Sequence, residues 1–471
     1  MATPSLQSAP PPIKSQWNTL QILKLSRAAI LILDLLLLIA VAIGARVHRG
    51  AMQTVGKDAA PSIIAAQHIK SALADMDANA ANELLGPAKS EPAATKEAVT
   101  AYESRRVEAS KALIAAAENI TYGDSERTPI LALQLGLGSY ERLIQRARDL
   151  HQTTPAATVA AYREAAALMD GTLLPAADAL DQANHQILEH TYESQSTRAF
   201  AARAFVLFAG SIALFALAAV QLFLSDRMHR TVNPALLAAT VLTLILTAYV
   251  WQAMRSEQHQ LKVAKEDAFT SIHALWRARA VAYQANGDES RYLLDPANAK
   301  EHEDAFAQKS QTLASLPTDR SREQVLAALK REARVNGFSG YLADELNNTT
   351  FDGERQAAIQ TLATWEAYLD VDAKIRQLEH QGQTRQAIEL CLGKASGLAN
   401  ASGQSNGIPG EFDQFDRALL ATLDINQRAF DASVDQGLAT VSALEVKALV
   451  AAILIALLSF LGLAPRIREY A

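Results

Sequence analysis

Residues 28–45 read AAILILDLLLLIAVAIGA. That run has the length and composition of a membrane-spanning helix, which needs roughly 17–25 mostly apolar residues. Three further runs of the same kind lie at 204–224, 235–250 and 448–464, the third being short unless residues 251–254 extend it. Asp34 is the one charge inside the four runs, and the segments between them hold nearly all the acidic and basic residues. Soluble core helices do not segregate charge this sharply, so four spans are expected. The chain average, 49% hydrophobic and 20% charged over 471 residues, conceals that division.

The first run could also be read as a signal peptide, with Gly44 and Ala45 as the small residues at a cleavage site. It is longer than the roughly 7–15 residues of such a segment, however, and it carries Asp34, so a retained anchor is the expectation. The resulting all-α plan has a cytoplasmic tail (1–24), span 1 (25–46), a first extracytoplasmic helical bundle (47–200) and span 2 (201–224). A cytoplasmic loop (225–233), span 3 (234–254), a second bundle (255–446), span 4 (447–465) and a cytoplasmic tail (466–471) complete it. Lys14, Lys24, Arg27, Arg227, Arg230, Arg466 and Arg468 sit in the short segments, which places both termini in the cytoplasm of a plasma-membrane protein. Arg46, Arg49, Arg203, Arg255 and Lys447 flank the same spans on the other side, where long loops translocate largely regardless of charge. A net charge of -6 with no basic stripe argues against nucleic acid. Cys391 is the only cysteine, so no internal disulfide is available, and a small buried hydrophobe is its ordinary role.

The first loop is alanine-rich, with turn signals at Gly86-Pro87 and Glu91-Pro92, Tyr122 to Asp124 with Thr128-Pro129, and Thr154-Pro155. These breaks predict about four helices. In the last of them Tyr162, Ala165, Met169, Leu173 and Ala176 recur at helical spacing, a stripe more often core than ligand site. The second loop breaks at Asp295-Pro296, Leu316-Pro317, Phe351 to Gly353 and Gly382, with less regular material at 337–348 and a polar Gly-rich stretch at 402–410. Asp77-Ala78-Asn79 and Gln284-Ala285-Asn286 each precede a Leu-Leu pair, which suggests an internal duplication of span, bundle and span.

No phosphate-binding or dinucleotide-binding glycine pattern, HExxH or CxxC is present, so no catalytic residue, cofactor or enzyme activity is expected. His185 and His190 are five apart, about 140° around a helix, and lack a third ligand. No metal site is expected, and a solvated polar face is their simpler reading. The pairs Asp75/Asp77 and Asp370/Asp372 are two apart and do not face each other on a helix, which argues against shared acid–base work. Asp34 lies at a depth that Gln221 and Thr243 could share. A hydrogen bond between spans is one expectation and a proton-linked role the other. The spans otherwise offer no polar pathway for a transporter.

The plan of span, antiparallel bundle and span, used twice, resembles the four-helix-bundle sensor domains of chemoreceptors and histidine kinases, without their cytoplasmic coiled coil or kinase module. The stretches AYQANGDESRYL (282–293), GFSGYLADELNN (337–348) and 412–420 resemble the GlnX-like four-span membrane sensor and adaptor family of actinobacteria, over most of residues 25–465. That resemblance implies a solute-binding protein, loaded with an acidic amino acid or its amide, as outer partner and a Ser/Thr kinase as cytoplasmic partner; a homodimer is also allowed. Exposed Trp, Tyr and Arg make interface hot spots, so Trp276, Arg279, Tyr283, Asn286, Arg291 and Tyr341 are the candidate partner contacts. The same residues could equally be an ordinary polar helix face. A membrane signal relay or adaptor is the expected function, and a passive envelope scaffold the alternative.

Overall fold

The computed structural model describes residues 19–86, 93–121, 123–151, 153–228, 232–332, 334–393 and 410–469. Lys14, the Pro87 and Glu91-Pro92 turn signals, Tyr122, Arg230 and the stretch 402–409 lie outside the described residues. The protein is all-α, and the β pairing among the described residues is an isolated bridge between Ser315 and Ser339. Four continuous helices, Thr19–Leu85, Pro155–Asp226, Pro234–Leu294 and Glu411–Glu469, are long and apolar enough to cross a membrane, as the four runs predict.

The chain divides into two compact units. The first comprises Met1–Gly50, Ser194–Gln258 and Gly437–Ala471 and holds the four apolar segments. These come from α1 (Thr19–Gln53), α6 (Leu174–Met228), α7 (Pro234–Lys262) and α14 (Glu411–Glu469). Their core is Leu, Ile, Val and Ala, including Leu37, Val206, Leu217, Val250 and Ile455. Small residues let the helices approach closely. A Cβ on Gly210 would come within 2.6 Å of the Thr247 hydroxyl, and one on Gly44 would collide with the end of Met254.

Polar contacts in this unit differ from those expected. Asp34 is buried, with its Oδ1 lacking a hydrogen-bond partner. Thr243 donates to the Ala239 carbonyl of its own helix (2.8 Å), and Gln221 donates to the Asn233 carbonyl (3.4 Å). The trio therefore makes no bond among its own members, because Thr243 finds an acceptor one turn back along its own backbone and Gln221 reaches the residue that caps α7. Other residues link the helices. Asn233 caps α7 by accepting from the Ala235 and Leu236 amides, and its own amide donates to the Gly462 carbonyl at 2.7 Å. His48 Nδ1 pairs with Glu257, both buried.

The second unit comprises Ala51–Glu193 and His259–Gln436. The two loops, read from the sequence as two bundles, are thus joined in one compact unit. Its helices are α2 (Ala60–Leu85), α3 (Ala93–Glu118), α4 (Asp124–His151), α5 (Pro155–Leu168), α8 (Thr270–Leu294) and α9 (Ala299–Leu313). Further along come α10 (Arg322–Leu329), α11 (Tyr341–Asn348), α12 (Glu354–His380) and α13 (Thr384–Cys391), with the outer parts of α6 and α14. The first loop supplies the four helices expected, although Pro129 lies inside α4 rather than at a break. The Tyr162, Met169 and Leu173 stripe is core, as its spacing predicts. π-helical segments occur at Thr54–Ala59, Met169–Leu173 and Val263–Phe269. Such segments interrupt the regular i to i−4 bonding and often mark functional positions.

The stretch at 337–348 is more regular than its composition suggests, since α11 occupies its second half. Gly340 permits the entry to that helix. Its φ is 102°, and a Cβ there would lie 2.8 Å from the Leu313 and Thr312 carbonyl oxygens. Gly340→Ala should therefore lower the stability of the second unit by ~1–3 kcal/mol from backbone strain alone, before any steric cost. A melting temperature unchanged from the parent protein would contradict this.

Candidate functional site: a charged interior in the second unit

α2 runs between α3 and α8, and the small residues of α2 bring α8 close. A Cβ on Gly287 would sit 3.7 Å from the Ala78 Cα. Among these small residues both helices carry charge, and the charges point inward. Asp75 and Asp77 of α2 and Arg279, Asp288, Glu289 and Arg291 of α8 are all buried.

Arg291 is the hub of one cluster. Its guanidinium pairs with Asp77, donates to Asp288 at 3.1 Å and to Asp170 at 3.0 Å, and reaches the Tyr162 hydroxyl at 3.2 Å. Tyr140 and Tyr162 donate to the two oxygens of Asp77 at 2.8 and 3.3 Å. Burial raises the pKa of Asp77, and the positive charge of Arg291 opposes that rise. Lys309 of α9 pairs with the other oxygen of Asp288.

Arg279 is the hub of a second. It binds both oxygens of Asp416 on α14 at 2.6 and 3.0 Å and donates to Ser71 on α2 at 3.1 Å. Asp75 pairs with Arg105 of α3. Burial pushes Asp75 up to about 6, with Arg105 and Arg279 pulling the other way. Asp75 and Asp77 thus turn to different partners, as their spacing requires. Asp370 and Asp372 do likewise, toward Arg322 and Arg376.

Two buried carboxylates face one another in a third cluster. Glu354 accepts the Thr350 and Phe351 amides with one oxygen, and Glu345 accepts from Asn426 at 3.3 Å. Burial and the neighbouring Glu354 push Glu345 up to about 8, so at neutral pH it is protonated and can donate to Glu354.

The six candidate partner contacts fall largely inside this interior. Trp276, Arg279, Tyr283 and Arg291 are 5%, 4%, 7% and 6% exposed. The exposure that made them candidates is absent, because each is spent on contacts within the unit. Trp276 lies against His68, with ring centroids 3.8 Å apart, and Tyr283 packs edge-on to Phe412. Asn286 donates to the Tyr368 hydroxyl, and the half-buried Tyr341 carries Arg277 over its ring. Their partners Asp77, Tyr140, Asp288 and Asp416 are not among the six candidate contacts. His185, read as a solvated face, stacks on His273, which binds Asp181 at 2.9 Å.

A groove of 780 Å³ opens between His68 on α2 and residues 100–112 of α3, with Glu103, Glu108 and Lys111 at its sides. Burial lowers the pKa of His68. Among the described residues no three His, Cys, Asp or Glu side chains are placed to hold a metal ion.

Two outcomes follow from this chemistry. Arg291→Met leaves Asp77 buried without its counter-charge and should cost about 3–5 kcal/mol in denaturant unfolding, with Asp77→Asn in the same chain recovering part of the loss. Glu345 binds its proton more tightly folded than unfolded. Its contribution is therefore full below the ordinary glutamate value of 4.5 and is lost as pH rises toward about 8. Glu345→Gln should flatten stability across that window, and an unaltered pH profile would contradict the shared proton.

Residues 51–193 match the family model described as the actinobacterial sensor domain. No curated protein and no solved structure matches the chain. The matched segment contains Asp75, Asp77, Tyr140, Tyr162 and Asp170, so it supplies the first-loop half of the charged interior. The similarity supports a sensor family of actinobacteria and a role in sensing or signalling.

Proposed function

We propose that the chain is a membrane signal relay or adaptor. Its second unit reads, on the extracytoplasmic side, a ligand or a solute-binding protein carrying an amino-acid-related solute. The state is passed to a cytoplasmic partner such as a Ser/Thr kinase. The observation that carries this reading is the charged interior of a unit whose first segment is similar to a sensor domain.

A purely stabilising core would be better served by apolar side chains, because buried ion pairs commonly fail to repay their desolvation. What they give is a small set of discrete arrangements. Arg279 and Arg291 each hold several acceptors on different helices, and exchanging one acceptor for another converts a small perturbation into a new packing. Four continuous helices contribute residues to both units, so an axial shift or rotation of one is shared by both through the backbone. Shifts of about 1–2 Å are the scale at which packed helices switch. Lys24, Arg27, Arg466 and Arg468 support cytoplasmic ends for the first and last spans.

The test is binding of the detergent-solubilised protein to loaded and to empty solute-binding protein from the same cell, followed by calorimetry. A relay requires differential affinity, and about tenfold tighter binding of the loaded form, equivalent to roughly 1.4 kcal/mol, is expected. Equal affinity would reduce the protein to an adaptor without sensing. Absence of binding to either form would sink the partner assignment and favour a scaffold.

A further inference from the structure

Two imidazoles meet face to face inside the second unit. His185 of α6 and His273 of α8 have ring centroids 5.0 Å apart and planes inclined by 19°. His273 also lies parallel to Phe269, at 5.9 Å, and Phe269 in turn reaches Phe430 of α14. The stack therefore joins three helices, and Phe269 belongs to the π-helical segment Val263–Phe269. The two histidines are not equivalent. His273 Nε2 lies 2.9 and 3.1 Å from the two oxygens of Asp181, so a proton on that nitrogen has a counter-charge at hand. His185 has no such provision. Its Nδ1 is buried without a partner, and Glu189, 3.7 Å from its Nε2, already binds Lys265 at 2.7 Å.

We propose that this stack is an acid-operated contact between α6 and α8, closed while His185 is neutral and opened when His185 takes a proton from solvent. The proton is then an input in its own right, independent of the outer partner proposed above. The His185 side chain is 38% exposed, which lets solvent protons reach it although its Nδ1 is enclosed.

The surrounding charges favour the neutral ring. α6 contributes Asp181 and Glu189, the π-helical segment contributes Lys265, and α8 contributes Arg277 near Asp181. α2 brings the uncharged Gln67 beside Asp181, and its Lys70 is bound to Asp178. From α11, the Tyr341 hydroxyl feels the charges of Arg277 and Asp181. Once both rings carry protons, His185, His273, Lys265 and Arg277 share the two carboxylates of Asp181 and Glu189. Two like charges then face one another across the stack. Burial, and after it the charge of His273, lower the pKa of His185, so the unfolded chain takes this proton more readily than the folded one. The contribution of neutral His185 is complete above the ordinary value of 6.5 and is lost as pH falls below it. Glu345 works in the opposite direction, its contribution being lost as pH rises. α6 and α8 belong to the continuous helices Pro155–Asp226 and Pro234–Leu294, so the contact joins two helices that each also carry an apolar segment.

The full-length protein in detergent tests this. In a Cys391→Ser background, spin labels at Gln186→Cys and Thr270→Cys, both exposed positions, report the separation of α6 and α8. Between about pH 7.5 and about pH 5.5, where a histidine changes charge, the distance should lengthen in the parent protein. It should stay fixed in His185→Phe, which keeps a flat ring but carries no proton, and in the smaller His185→Gln. Acid should also lower the melting temperature of the parent by more than that of either variant. An unchanged distance in the parent, or the same lengthening in the variants as in the parent, would overturn the proposal. So would equal acid losses of melting temperature in all three proteins.

Discussion

The ion pair between Asp77 on α2 and Arg291 on α8 ties together segments that are 214 residues apart in the chain. A buried guanidinium must be surrounded by acceptors or it is too costly to keep, so Arg291 dictates much of what lies around it. Asp288, Asp170 and Tyr162 take its remaining donors, and Lys309 balances the charge of Asp288. Tyr140 and Tyr162 in turn complete Asp77. Both loops thus contribute to one interior: Asp77 takes its counter-charge from the second loop, and Arg291 takes two of its three carboxylates, Asp77 and Asp170, from the first.

That interdependence explains what the sequence discloses and what it withholds. The spans are legible because apolar runs such as 28–45 contrast with everything around them, and the helix breaks are legible because Pro and Gly act locally, as at Thr154-Pro155 and Asp295-Pro296. The interior is not legible in that way. α2 is rich in alanine around its whole circumference, so no apolar stripe separates an inner face from an outer one, and Asp75 and Asp77 look like ordinary solvated carboxylates. Trp276, Arg279, Tyr283 and Arg291 attract attention as residue types, which is sound, but type alone cannot distinguish an exposed arginine from one whose acceptors arrive from the other half of the chain. The available signal was charge embedded in small-residue helices that have no continuous polar face.

The same distinction separates Asp34 from His48 and Glu257. An isolated charge within an apolar run is conspicuous in sequence, yet Asp34 makes no bond with Gln221 or Thr243. The buried His48 and Glu257 pair links α1 to α7 from positions just beyond the apolar runs, where nothing in the local pattern marks them. Interactions between distant segments leave a weak trace in either segment alone.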